Sequence, residues 1–378
     1  MKRRILTVFL LAAMCLSMLS ATSPISTPMA SVLSTEDTSI VASPRDYETV
    51  DLLSGYIYTF ASAYERLSAA QYANMTDQYF PTPARLTWTC EDGAQYYTVK
   101  LSRLADLSDA AYFVTFDRAL EIEDLYMGTT YYYQILAHHA DKTVRSQVFA
   151  FQTAYLPRTV EIEGISNTRD MGGYLTESCT HRIRQGLVYR GGQTETITEA
   201  GMNKFLYTYG IRTDLDLRGE AKTPFGPAVN FVSVSAPYYV TGNGILNMDY
   251  REALITEIKT FADPSNYPIY VHCSLGRDRT GTICALINAL CDVREHDLYL
   301  DYEISFFSER GCIDGASVES MVNGSFTSLF HYLNTYPTEK KNATLADRTE
   351  AFMKEELGIT QAEIDSIRAI LLEEVAKG

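Results

Sequence analysis

The stretch YPIYVHCSLGRDRTG, from Tyr267 to Gly281, constrains the fold more than any other part of this chain. Tyr267 to Val271 form an apolar run that reads as a buried strand, and Thr280 to Leu290 carry a helical pattern. Between them Gly276 gives the backbone a sharp turn. Ile211 to Leu217 and Ile269 to His272 also read as buried strands, and Ala346 to Leu357 and Thr360 to Val375 as helices. That alternation belongs to an α/β layer architecture.

The loop between strand and helix has chemistry built into it. Gly276 allows the loop N–H groups to point inward, and the helix beginning near Arg279 adds its positive end, which makes a cradle for a tetrahedral dianion. Arg279 is spaced to close that cradle with a two-pronged hydrogen bond. The same field favours the thiolate of Cys273, a ready nucleophile. Thr280 can donate its hydroxyl to the sulfur and improve it as a leaving group, while His272 fixes the loop through ring hydrogen bonds rather than accepting a substrate proton. A bare C-x5-R spacing arises by accident; the full string from His272 to Gly281 gives every position a task.

A chain of 378 residues with 46% hydrophobic content is long enough for two core-forming domains. Residues 1–23 place three cations before the apolar run Ile5 to Leu19 and then small residues, the order of a secretory signal. The protein is therefore expected to be secreted. Loss of Lys2, Arg3 and Arg4 with the signal takes the formal charge from −15 to −18. Such a chain repels nucleic acid, so no nucleic-acid partner is expected, and any anion site must be built locally, as Arg277 and Arg279 are. Six cysteines follow the signal, Cys90, Cys179, Cys273, Cys284, Cys291 and Cys312, without the spacing of a disulfide framework or a CxxC pair.

Residues 24–80 read as a leader, rich in Ser, Thr, Pro and Asp at first and helical around Ala61 to Tyr72. From 81 to 155 the pattern changes to short alternating segments such as ARLTWTC, YYTVKLSR and SQVFAFQT, separated by turns, which is the pattern of an all-β sandwich. This part resembles a fibronectin type III domain, with Leu86-Thr87-Trp88 as the early core strand and Leu125 to Tyr131 as the tyrosine corner. The resemblance implies a module that positions the protein or binds a surface or protein partner. The α/β domain then occupies 156–378.

The loop string matches the signature HCxxGxxRTG, and residues 160 to 375 resemble the cysteine-dependent phosphatases, closest to the bacterial branch with GKDRTG. Members of that branch are tyrosine phosphatases that also act on phosphoserine, phosphothreonine or phosphoinositides. Three upstream strings stand in that branch's order: Asn167 to Tyr174 (NTRDMGGY), Gly186 to Gly192 (GLVYRGG) and Asp214 to Arg218 (DLDLR) followed by Glu220. The resemblance implies a central, mostly parallel sheet flanked by helices. It implies Cys273 as nucleophile and Arg279 on the phosphoryl oxygens, with His272, Ser274, Leu275, Gly276, Arg277 and Thr280 around the substrate phosphate.

The resemblance leaves the general acid open between Asp216 and Asp278. It implies no metal and no other cofactor, and a phosphorylated protein or phospholipid as substrate. Arg277 stands where the branch has Lys. Arg169, Asp170 and Arg190 read as scaffold, and 300–341 as a lid. Three rival readings share part of the signature. A rhodanese-like sulfurtransferase needs no Arg279-Thr280-Gly281. An inositol-polyphosphate phosphatase carries small residues at 277 and 278. A non-catalytic phosphate-binding protein presented by the β module would be expected to have lost Cys273, Arg279 or Thr280.

Overall fold

In the computed structural model, residues 39–63, 67–72, 81–220, 222–308 and 314–375 are described. The signal segment and Cys312 lie outside them. The chain divides into two units.

Among the described residues the first unit comprises 39–50, 83–123 and 128–154. Its strands are β1 (Val41–Ser43), β2 (Glu48–Val50), β3 (Ala84–Thr89), β4 (Tyr96–Ser102), β5 (Ala111–Thr115), β6 (Ala119–Ile122), β7 (Thr130–His138), β8 (Thr143–Arg145) and β9 (Phe149–Thr153). They form two sheets, ordered β1-β3-β6 and β2-β9-β7-β4-β5, with β8 beside β7. Alternation sets the inward faces: Leu86 and Trp88 of β3, Tyr97 and Val99 of β4, Tyr133 and Ile135 of β7, and Phe149 and Phe151 of β9 are buried. Residues 41–43 and 48–50, placed in the leader by sequence, are strands here. β1 pairs with β3 and β2 with β9, so hydrogen bonding to longer neighbours orders segments too short to show a period of their own.

The second unit holds the remaining described residues, including 124–127 and helix Gly55–Ala61. Its strands are β10 (Arg169–Asp170), β11 (His181–Ile183), β12 (Val188–Gly191), β13 (Thr213–Asp216), β14 (Asn230–Ser233), β15 (Ile269–His272) and β16 (Leu372–Glu374). The main sheet runs β10-β12-β15-β13-β14; β12, β15, β13 and β14 are parallel and β10 is an antiparallel edge. Every residue of β12, β13 and β15 is buried, as expected of parallel strands covered on both faces. Helix Asp278–Leu290 is buried almost all round and packs against helices Glu295–Glu303 and Leu345–Glu355. Capping boxes start the last two helices, Thr344 with Asp347 and Thr360 with Glu363. The final helix stops at Leu371, short of the expected Val375, because Leu372–Glu374 pair with β11 instead.

The segment 124–127, read from sequence as part of a tyrosine corner in the sandwich, is bonded within the second unit. Gln185 accepts from the Met127 N–H at 2.8 Å and donates back to its carbonyl at 3.0 Å. Arg158 donates to the carbonyls of Asp124 and Leu125, and its guanidinium lies 4.7 Å from the Tyr126 ring centre.

Candidate active site

Register places Gly191, His272 and Asp216 side by side where β12, β15 and β13 end. The carboxyl ends of parallel strands are where open α/β sheets bind ligands. Past His272 the chain turns through Cys273 to Arg277 and enters helix Asp278–Leu290.

The turn is held from outside by its carbonyls. Asn167 Nδ2 donates to the carbonyls of Leu275 (2.8 Å) and Gly276 (3.1 Å), and Arg190 Nη2 donates to that of Gly276 at 2.9 Å. Among the described residues, the N–H groups of Ser274, Leu275, Gly276 and Arg277 donate to no protein acceptor. A loop with anchored carbonyls and unpaired amides is an anion nest. Gly276 has φ of 69°, and a Cβ there would stand 2.3 Å from the backbone of Gly191. No other residue fits that turn. Cys273 is 4% exposed at the start of the nest, and the buried Thr280 hydroxyl has no hydrogen-bond partner.

A buried ionic hub supports the loop from below. Asp301, in helix Glu295–Glu303, receives Arg169 Nε on Oδ1 at 2.9 Å and Arg190 Nη1 on Oδ2, and its carbonyl accepts from Arg169 Nη2. Burial pushes the Asp301 carboxyl up, but Arg190 and Arg169 more than offset it and hold the group below the usual carboxylate range. Arg169 also donates to Asn167 Oδ1 at 2.6 Å, so both residues that grip the loop carbonyls are fixed by one network. Asp170 pairs with Arg158 at 2.6 Å and accepts from the N–H groups of Gly172 and Gly186.

The two candidate acids stand in different environments. Asp216 has a side chain 1% exposed, and Arg218 takes both of its oxygens, Oδ1 at 2.9 Å and Oδ2 at 2.7 Å, while the Arg218 N–H binds Oδ1 at 2.8 Å. Burial raises the Asp216 carboxyl, yet Arg218 and His272 outweigh that and hold it below its usual range. Both carboxylate oxygens of Asp216 are thus engaged by Arg218. Asp278 is 26% exposed and opens the helix; Arg277 donates to Oδ1 and Oδ2 at 3.1 and 3.2 Å, and Tyr239 donates its hydroxyl to Oδ1 at 2.5 Å.

Arg277, expected around the substrate phosphate, is buried with its guanidinium 5.3 Å from the Phe306 ring centre and on Asp278; Nη1 has no partner. Arg279 is half-buried and reaches the Leu217 carbonyl at 3.5 Å. His272, expected to fix the loop through ring hydrogen bonds, makes none among the described residues: it is fully buried, Nε2 lies 2.9 Å from Asp214 Oδ1 but out of line, Nδ1 has no partner, and the ring is held instead by stacking on Tyr270. Burial pushes the Glu257 carboxyl well above its usual range, opposed by the charge of Arg279. Glu257, Asp301 and Tyr239 carry no motif signal; the sequence trace of Asp301 is one acid between the apolar Leu300 and Tyr302. Among the described residues no group of three or more His, Cys, Asp or Glu is arranged to hold a metal ion.

A profile described as the tyrosine phosphatase family matches residues 160–373. A Cupriavidus necator protein named "Putative tyrosine-protein phosphatase" is 28% identical over 166 residues, which cover 36% of this chain and 59% of that protein. A Dictyostelium discoideum protein named "Probable tyrosine-protein phosphatase" is 33% identical over 80 residues, 21% of this chain and 43% of that one. The chain thus spans about half the length of these relatives. Among solved structures, the core catalytic domain of the PP-IP phosphatase SIW14 from S. cerevisiae, in complex with citrate, has 17% identity over 36% of this chain and 80% of that one, with a TM-score of 0.27.

Proposed function

The chain belongs to the tyrosine phosphatase family, and from that premise we propose that it is a secreted cysteine-dependent phosphatase that hydrolyses phosphate monoesters, phosphotyrosine first among them. One observation carries the reading: the unpaired amides of Ser274 to Arg277, beside Cys273, form a nest whose carbonyls are tied back by Asn167 and Arg190.

In the first step the Cys273 thiolate attacks phosphorus in line. The S–P bond forms as the bond to the ester oxygen breaks, and Asp278 gives its proton to the departing oxygen. Loop amides and Arg279 hold the remaining phosphoryl oxygens as charge develops. Water then attacks the cysteinyl phosphate, returning its proton to Asp278 and releasing phosphate and the thiolate, which the Thr280 hydroxyl is read as stabilising. Asp278 is preferred over Asp216 because it is 26% exposed, against 1% for Asp216, and the Arg277 contacts to its two oxygens (3.1 and 3.2 Å) are longer than those of Arg218 to Asp216 (2.9 and 2.7 Å). The names of the two relatives favour a phosphotyrosyl substrate. The β-sandwich is read as a fibronectin type III-like module that holds the enzyme on a surface or protein partner, and the N-terminal segment as its export signal.

The test is a substrate panel on the full chain: phosphotyrosine, phosphoserine and phosphothreonine peptides, phosphoinositides, phytate and thiosulfate. Highest kcat/KM on phosphotyrosine is expected. Preference for phytate or a phosphoinositide would displace the protein substrate, and activity on thiosulfate alone would make it a sulfurtransferase. Gly276→Ala is expected to lower kcat/KM by on the order of a hundredfold, since the loop must shift to clear Gly191 and a displacement near 1 Å has an effect of that size. Steady-state kinetics with p-nitrophenyl phosphate measures it.

A further inference from the structure

We propose that Tyr239 is a positioning residue that aims Asp278 at the leaving-group oxygen, an inference that rests on the reading of Asp278 as the acid. Tyr239 follows β14 and has φ of 61°, in the left-handed region that bulky side chains rarely adopt. Such a conformation persists only where its surroundings over-determine it. Here its N–H donates to Thr282 Oγ1 at 2.9 Å, and the Thr282 hydroxyl donates to the Asp278 carbonyl at 2.9 Å. Backbone and side chain of Tyr239 are therefore both tied to the first turn of the helix that carries Asp278.

The hydroxyl of Tyr239 donates to Asp278 Oδ1 and lies 2.5 Å from the Tyr302 hydroxyl. Tyr302 is fixed by stacking on Phe326 at 3.8 Å between ring centres. Asp278 is thus faced by Arg277 from the loop, Tyr239 from the segment after β14 and Tyr302 from helix Glu295–Glu303. Burial, then the neighbouring Tyr302 and Asp278, push the Tyr239 hydroxyl far above the ordinary phenol range, so it remains a donor throughout neutral pH.

The two oxygens of Asp278 are not equivalent. Oδ1 accepts from Tyr239 and from Arg277 Nε, whereas Oδ2 has one long contact, 3.2 Å, from Arg277 Nη2. The transferable proton therefore sits on Oδ2 and passes from there to the ester oxygen as the P–O bond breaks. Tyr239 touches neither substrate nor phosphorus; it selects which oxygen acts and where it points.

The test is Tyr239→Phe in the full chain, assayed with p-nitrophenyl phosphate, whose leaving group departs without a proton, and phenyl phosphate, whose leaving group needs one. Phenyl phosphate turnover is expected to fall about tenfold or more, part of the 10²–10⁴ that an acid supplies, with p-nitrophenyl phosphate changing less than about twofold. In an Asp278→Asn background Tyr239→Phe adds no further loss, and Tyr302→Phe shows the same split at smaller amplitude. An equal fall for both substrates, or an additive loss in the Asp278→Asn background, overturns the proposal. Cys273→Ser assayed alongside separates the two failures: if it still turns over both esters, the phosphatase reading itself is wrong.

Discussion

Replacement of Cys273 by serine is expected to lower kcat by at least about a thousandfold on every ester, with binding of phosphate or a phosphopeptide retained. The amides of the loop and Arg279 do not depend on the sulfur, so the nest still receives the anion; what disappears is the nucleophile. A serine hydroxyl in that position is a far weaker nucleophile, because none of the described contacts offers it a general base: His272 is buried beneath the strand end and directed toward Asp214. The other two thiols of the buried core are no substitute. Burial pushes Cys284 and Cys291 up to about 12, which leaves them protonated at neutral pH. Single-turnover kinetics with a phosphotyrosine peptide, combined with equilibrium titration of the same peptide, reads both halves. Retained turnover would remove the covalent step.

Asp301→Ala is expected to produce the largest loss of stability, about 3–5 kcal/mol, because it leaves two buried guanidiniums without their counter-charge. Arg169 and Arg190 are both fully buried and share that one carboxylate. Asp301→Asn keeps the shape and one acceptor while its NH2 faces a guanidinium donor, so a loss of the same sign is expected, smaller than that of alanine. Chemical unfolding midpoints of the three proteins measure the difference. Turnover should fall as well, since Arg190 and Asn167 hold the carbonyls of Gly276 and Leu275 through this network. Wild-type stability in Asp301→Ala would mean that water replaces the carboxylate and that the hub is not structural.

Much of the catalytic unit is legible because its signals are local. The strand Ile269–His272 is continuous and apolar, Gly276 marks the left-handed turn, and the capping boxes at Thr344 and Thr360 mark helix starts one residue on. Cys273, Ser274 to Arg277 and Thr280 stand together in space because they stand together in sequence. What sequence reading does not reach is set by distant residues. Asp301 becomes the counter-ion of Arg169 and Arg190 only when helix Glu295–Glu303, more than a hundred residues on, packs against helix Asp278–Leu290. Asp216 ends a strand in either role, and the bidentate grip of Arg218 on it does not show in the sequence spacing. Arg277 follows the same rule: its spacing suggests a phosphate contact, but Phe306 and Asp278 hold its guanidinium within the protein. In the sandwich, β4 and β7 are long enough to alternate visibly, whereas β1, β2 and β8 have three residues each and owe their conformation to the strand alongside.

The route of the chain has a genetic consequence. It leaves the first unit after Val50, returns at Pro83, leaves again for residues 124–127 and crosses for the last time after Ala154. Protein begun at residue 156 would lack Met127, which brackets Gln185, the carbonyls that hold Arg158, and Ala69, whose N–H donates to Glu303 at 2.9 Å. A single recombination joint therefore cannot insert or remove the sandwich as a cassette. The two units are obliged to travel through evolution as one gene segment.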